Sequence, residues 1–82
     1  MSSAETDQVN AIIRTVAKEL GSARVKFGPM ASPHEGWAVI KEELDELWEC
    51  VRANGGRSPL AMDEARQVAA MAIRYIVDLE PR

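Results

Sequence analysis

The fold is decided between residues 32 and 79, SPHEGWAVIKEELDELWECVRANGGRSPLAMDEARQVAAMAIRYIVDL. Ser32-Pro33-His34-Glu35 opens this stretch with a capping hydroxyl, a proline at the first helical position and a glutamate placed to reach back to the cap, a strong helix start. Trp37, Ile40, Leu44, Leu47, Trp48 and Val51 then recur at helical spacing as far as about Ala53, where Asn54-Gly55-Gly56 breaks the pattern. Ser58-Pro59 repeats the start signal, and the next helix carries Ala61, Ala65, Val68, Ala69, Ala72, Tyr75, Ile76 and Leu79 on one broad face before Pro81. The connection from Asn54 to Ser58 is short enough to make the two helices antiparallel neighbours.

Upstream, Ser2-Ser3-Ala4-Glu5 has the form of a capping box, and Val9, Ile12, Ile13, Val16 and Leu20 predict a helix from Ser3 to Leu20, with Gly21 as its stop. Residues 22–31 contain Gly28-Pro29 and no sustained period, which predicts a structured loop pinned by Phe27 and Met30. The expectation is therefore a single all-α domain over residues 1–82: a helical hairpin with an N-terminal helix, assembling into an oligomeric helix bundle. Two features favour assembly. A chain of 82 residues builds only a thin core, and Ile73 and Val77 make the third helix apolar on a second side that a three-helix monomer cannot cover.

The composition narrows the function. A formal charge of −3 and a sequence pI near 5.1 leave no basic footprint for a phosphate backbone, so nucleic acid is not an expected partner. Cys50 is the single cysteine and falls within a helical pattern, where it is expected to pack as a small hydrophobe; neither a disulfide framework nor a thiolate zinc site is available. No apolar run approaches the roughly 20 residues of a membrane span, and Met1–Asn10 lacks a hydrophobic signal region. A soluble, cytoplasmic protein with no membrane partner is expected.

The chemistry lies in the carboxylates. On a helical wheel Glu43 and Glu46 run along the edge of the apolar stripe in line with Val39 and Cys50, while Lys41, Asp45 and Arg52 face away. Carboxylates at i and i+3 have Cβ atoms about 5–6 Å apart. At an effective dielectric near 20 their repulsion is roughly 3 kcal/mol, which a bound cation relieves. Across the hairpin Glu46 falls within about 3 Å of the level of Glu64, and Glu43 of Gln67. Three carboxylates and an amide from facing helices form a hard oxygen set suited to Mg²⁺ or Mn²⁺, and such magnesium sites commonly hold substrate phosphates.

Glu43-Leu44-Asp45-Glu46 followed by Glu64-Ala65-Arg66-Gln67 resembles the paired Glu-x-x-Glu and Glu-x-x-Asp motif of the MazG-like, all-α nucleoside triphosphate pyrophosphohydrolases. The stretch from about Phe27 to Leu79, including His34-Glu35-Gly36-Trp37 and Gln67-Val68-Ala69-Ala70-Met71-Ala72, is similar to short phage-type members. The resemblance implies Mg²⁺-dependent cleavage between the α and β phosphates of a (deoxy)nucleoside triphosphate, by a homodimer or homotetramer. Glu43, Glu46, Glu64 and Gln67 would then be the metal set, with Glu43 and Glu46 catalytic and Glu42 or Glu46 accepting the proton of water. Gln67 departs from the pattern, in which an aspartate stands at that place; Asp63, one residue before Glu64, is a candidate for the missing charge.

His34, Trp37, Lys26 and Trp48 are the substrate-binding candidates, with Trp37 best placed for base stacking. Each has a plainer alternative: the tryptophans as core, His34 as a surface or loop-packing residue, Lys26 as an exposed charge. Arg24, Arg57 and Arg74 are further candidates for phosphate oxygens. The rival functions are a nucleotide-binding or interaction module of the same fold without turnover, and a plain helical oligomerisation or DNA-binding domain.

Overall fold

A computed structural model describes residues 1–81. Three α-helices follow one another: α1 (Ser3–Phe27), α2 (Pro33–Asn54) and α3 (Pro59–Leu79), with no strand among the described residues. Their starts are built as expected. The hydroxyls of Ser2, Ser32 and Ser58 accept from the backbone N–H groups of Glu5, Glu35 and Ala61. The Ser2–Glu5 box closes in both directions, whereas the Glu35 carboxylate accepts from the Ala31 N–H, one residue before the cap.

The predicted end of α1 is corrected. The helix runs through Gly21 to Phe27 and stops at Gly28, whose φ of 69° is open to glycine. Pro29 cannot continue it. Ala23, beyond the supposed stop, packs against the core as Leu20 before it does, so the apolar stripe of α1 outlasts the glycine. Only residues 28–32 remain as a connection. Met30 pins it, buried at 3% exposure, but Phe27 does not: it is 64% exposed.

α1 and α2 each pack on α3 and not on one another. Val16 of α1 meets Ala70 and Met71 of α3, flanked by Val39 and Ile40 of α2. Ala61 and Ala70, both fully buried, let helices approach α3 closely. α2 packs closely at Gly36, where a Cβ would lie 2.5 Å from the Tyr75 ring and 3.1 Å from the Met30 sulfur. Beside that crossing, Asp78 holds the connection in place. Its carboxylate accepts from the Met30 N–H (2.9 Å) and pairs with Arg24, while Arg74 lies 3.7 Å from it and donates to the Gly28 carbonyl (2.7 Å).

The core is thin and the apolar surface large. The expected core placement of Trp37 and Trp48 is overturned within the single chain: they are 60% and 57% exposed. Their places along the α2–α3 seam are taken by smaller groups such as Gly36 and the buried Cys50. Leu44, Val51, Ile73, Ile76 and Val77 are also exposed. The accessible surface is 5982 Å², against about 4,850 Å² for a compact monomer of this mass.

Candidate metal centre and adjoining cleft

Because the α2–α3 turn closes through left-handed Gly55 and Gly56 (φ 83° and 77°), the hairpin register is fixed and the level-matching of the carboxylates holds. Glu43 and Glu46 of α2 and Glu64 of α3 bring carboxylate oxygens within 4.8 Å of one another. Glu43 and Glu64 are partly buried and Glu46 is exposed, so the group is open on one side.

The electrostatics are those of a site short of positive charge. Desolvation, and then the nearby carboxylates of Glu46, Glu64 and Glu42, push the Glu43 carboxyl from its ordinary 4.5 to about 7. Desolvation and then Glu46 raise Glu64 as well, with a further contribution from Asp63. Oε2 of Glu64 is buried with no hydrogen-bond partner. A buried acceptor without a donor is costly unless a proton shared with a neighbouring carboxyl or a cation meets it. An unpartnered hard oxygen among three convergent carboxylates fits a divalent cation such as Mg²⁺ or Mn²⁺.

Since the backbones of α1 and α2 stay apart, a cleft of about 390 Å³ lies between them, floored by α3. Glu43 and Gln67 line it beside the acidic cluster, and Arg74, Met71 and Phe27 line it as well. Arg74 is 3% exposed, and its Nε lacks a hydrogen-bond partner. Arg74 also lies 5.9 Å from the centre of the Phe27 ring, over which Lys26 sits at 5.0 Å. The space thus runs from a group of carboxylates to a buried guanidinium.

The other expected site residues divide. Lys26 stands at the rim through its contact with Phe27. Glu42 lines both this cleft and a shallow groove that it shares with Trp37 and Glu46 on the outer side of α2. His34 and Trp37 adjoin one another on the first turns of α2, outside the cleft. Trp48 is grouped with Leu44, Leu47 and Val51, away from the cleft. Asp63 is turned to solvent and paired with Arg66 at 3.1 Å, so it does not replace the missing aspartate. Arg24 and Arg74 both face Asp78, and of the two Arg74 lines the cleft.

One residue escaped sequence reasoning. Glu19 of α1 accepts a hydrogen bond from the Gln67 side-chain amide at 2.7 Å. Its helical spacing between Val16 and Ala23 puts Glu19 within the buried stripe of α1 but does not say which residue it meets. No family model, curated protein or solved structure matches this chain.

Proposed function

We propose that the protein hydrolyses a (deoxy)nucleoside triphosphate to the monophosphate and pyrophosphate with Mg²⁺, as the resemblance of its two acidic motifs to the MazG-like pyrophosphohydrolases implies. The observation that carries this is the meeting of Glu43, Glu46 and Glu64 within 4.8 Å, beside a cleft that also holds Arg74. Glu43, Glu46 and Glu64 would hold the metal, with Gln67 next to them. A bound metal polarises phosphoryl oxygens and makes water a better nucleophile. Arg74, held by Asp78 and the Gly28 carbonyl, gives the far end of the same cleft its polar wall, while Glu46 or Glu42 takes the proton of the attacking water. Oxygen from water joins one of the two phosphorus atoms of the α–β anhydride as that bond breaks, and monophosphate and pyrophosphate leave.

The exposed apolar faces support a homodimer or homotetramer as the working form, the partner helices covering what a single chain leaves open. Incubation with Mg²⁺ and a panel of ribo- and deoxynucleoside triphosphates is expected to release pyrophosphate from at least one, with Glu43→Ala lowering the rate at least about a hundredfold. No release from any of them, with Glu43→Ala indistinguishable, would overturn the enzymatic reading.

A second reading is favoured by the Glu19–Gln67 bond: an amide engaged in this way brings no charge to the metal set, consistent with a module that binds nucleotide without turning it over. It predicts saturable nucleotide binding in Mg²⁺ with no pyrophosphate formed.

A further inference from the structure

A side-chain amide can face a metal site in two ways, presenting either oxygen or NH₂, and only the oxygen can be a ligand. At Gln67 the choice is made by Glu19. Its Oε2 lies 2.7 Å from the Gln67 nitrogen, and a carboxylate only accepts hydrogen bonds. Reversing the amide would set two acceptors against each other at that distance. Gln67 therefore gives its NH₂ to α1 and has Oε1 left for the cleft it lines beside Glu43.

We infer that Glu19 is a positioning residue for the metal site. It fixes the side-chain amide of Gln67 so that the oxygen is presented to the cation, and it places a carboxylate one hydrogen bond behind position 67, polarising that amide. Carboxylate partners behind first ligands act in this way elsewhere, where removing one typically weakens metal affinity about 10–100-fold. The arrangement gives the departure at residue 67 a physical reason. With Glu19 already there, a carboxylate of similar reach at 67 would meet a like charge, whereas an amide meets an acceptor. Glu19 and Gln67 thus act as a unit that brings α1 into a site otherwise built by α2 and α3.

This role exists only if the cation site proposed above does, so the test separates the two. Mn²⁺ is titrated into the full chain and the free ion is followed by electron paramagnetic resonance, for the wild type, Glu19→Ala, Gln67→Ala and the double variant, with circular dichroism reporting folding. Glu19→Ala is expected to weaken Mn²⁺ binding about tenfold or more, and to have no further effect once Gln67 is alanine. If the wild type binds Mn²⁺ but Glu19→Ala changes nothing, or weakens binding equally in both backgrounds, the positioning role is overturned and the metal site stands. If the wild type does not bind Mn²⁺, both fall. Should Glu19→Ala not fold, Glu19→Gln takes its place: an amide at 19 no longer dictates how Gln67 faces, and a several-fold loss confined to the Gln67 background is expected.

Discussion

Two helical glycines show how one residue type takes opposite roles. Gly21 lies inside α1 with nothing near the position of a Cβ, so Gly21→Ala removes backbone freedom from the unfolded chain and is expected to stabilise by about 0.5–1 kcal/mol. Gly36 has the Tyr75 ring 2.5 Å from that position, so Gly36→Ala overpacks the α2–α3 crossing and is expected to cost about 1–3 kcal/mol, partly offset by better helix propensity. Thermal denaturation at fixed concentration should move in opposite directions for the two variants. Glu43 sets a pH dependence. Unfolded, its carboxyl titrates near 4.5; folded, it titrates at about 7. Between those values the folded state holds a proton that the unfolded state has lost, so this group's contribution is complete below 4.5 and disappears as pH rises through 7. Metal-free protein is thus expected to lose stability across that window. Mn²⁺ affinity should rise over the same range and level off above it, because binding displaces the proton. Glu43→Gln should flatten the stability slope, which denaturant melts at several pH values would detect.

Each helix start was legible because a serine cap and its partner lie within a few residues of each other. The α2–α3 carboxylate cluster was legible too, since a short turn transmits register from one helix to the next. The end of α1 was not. A lone glycine resembles a stop, but Ala23 and Arg24 beyond it find partners on α3, and Gly28-Pro29 is the stronger terminator. Nor was Glu19 legible as a site residue, because its level against Gln67 depends on how α1 crosses α3, which no local pattern encodes. The same long-range chemistry fixes the α1–α2 connection. The Met30 N–H, and then Arg24, hold the Asp78 carboxyl below its usual range despite desolvation. Asp78→Asn removes the charge facing Arg24 and the buried Arg74 and is expected to cost about 2–3 kcal/mol. Denaturant melts would measure the loss, and the Met30 amide should exchange with solvent faster than in the wild type.

For the molecule as a whole, the decisive quantity is surface. Its radius of gyration is 13.9 Å, where about 11.7 Å is usual for a compact chain of this length. The accessible area exceeds that of a compact monomer by roughly 1,100 Å², somewhat more than the roughly 800 Å² that each partner buries in a stable interface. Part of the excess has a definite pattern. Trp37, Leu44, Trp48 and Val51 form one exposed stripe along α2, spaced as a helix requires for a single contact line. Large apolar side chains repeated in this way mark a surface that another helix covers, and a second copy offers the same stripe. Sedimentation is therefore expected to give at least twice the 9.0 kDa of one chain. The melting temperature should rise with protein concentration, as it does when folding and association are linked. Trp48 lines a surface depression with Leu44, Leu47 and Val51 that contains none of Glu43, Glu46 and Glu64, so a Mn²⁺ titration of its variant reads assembly and metal binding separately. Trp48→Glu places a charge in the stripe and should weaken association at least about tenfold, with helix content retained. A wild type that sediments as a single chain at 100 µM or so would contradict the assembly; a Trp48→Glu variant that associates unchanged would move the interface to another apolar face, of which Ile73, Ile76 and Val77 on α3 form the next candidate.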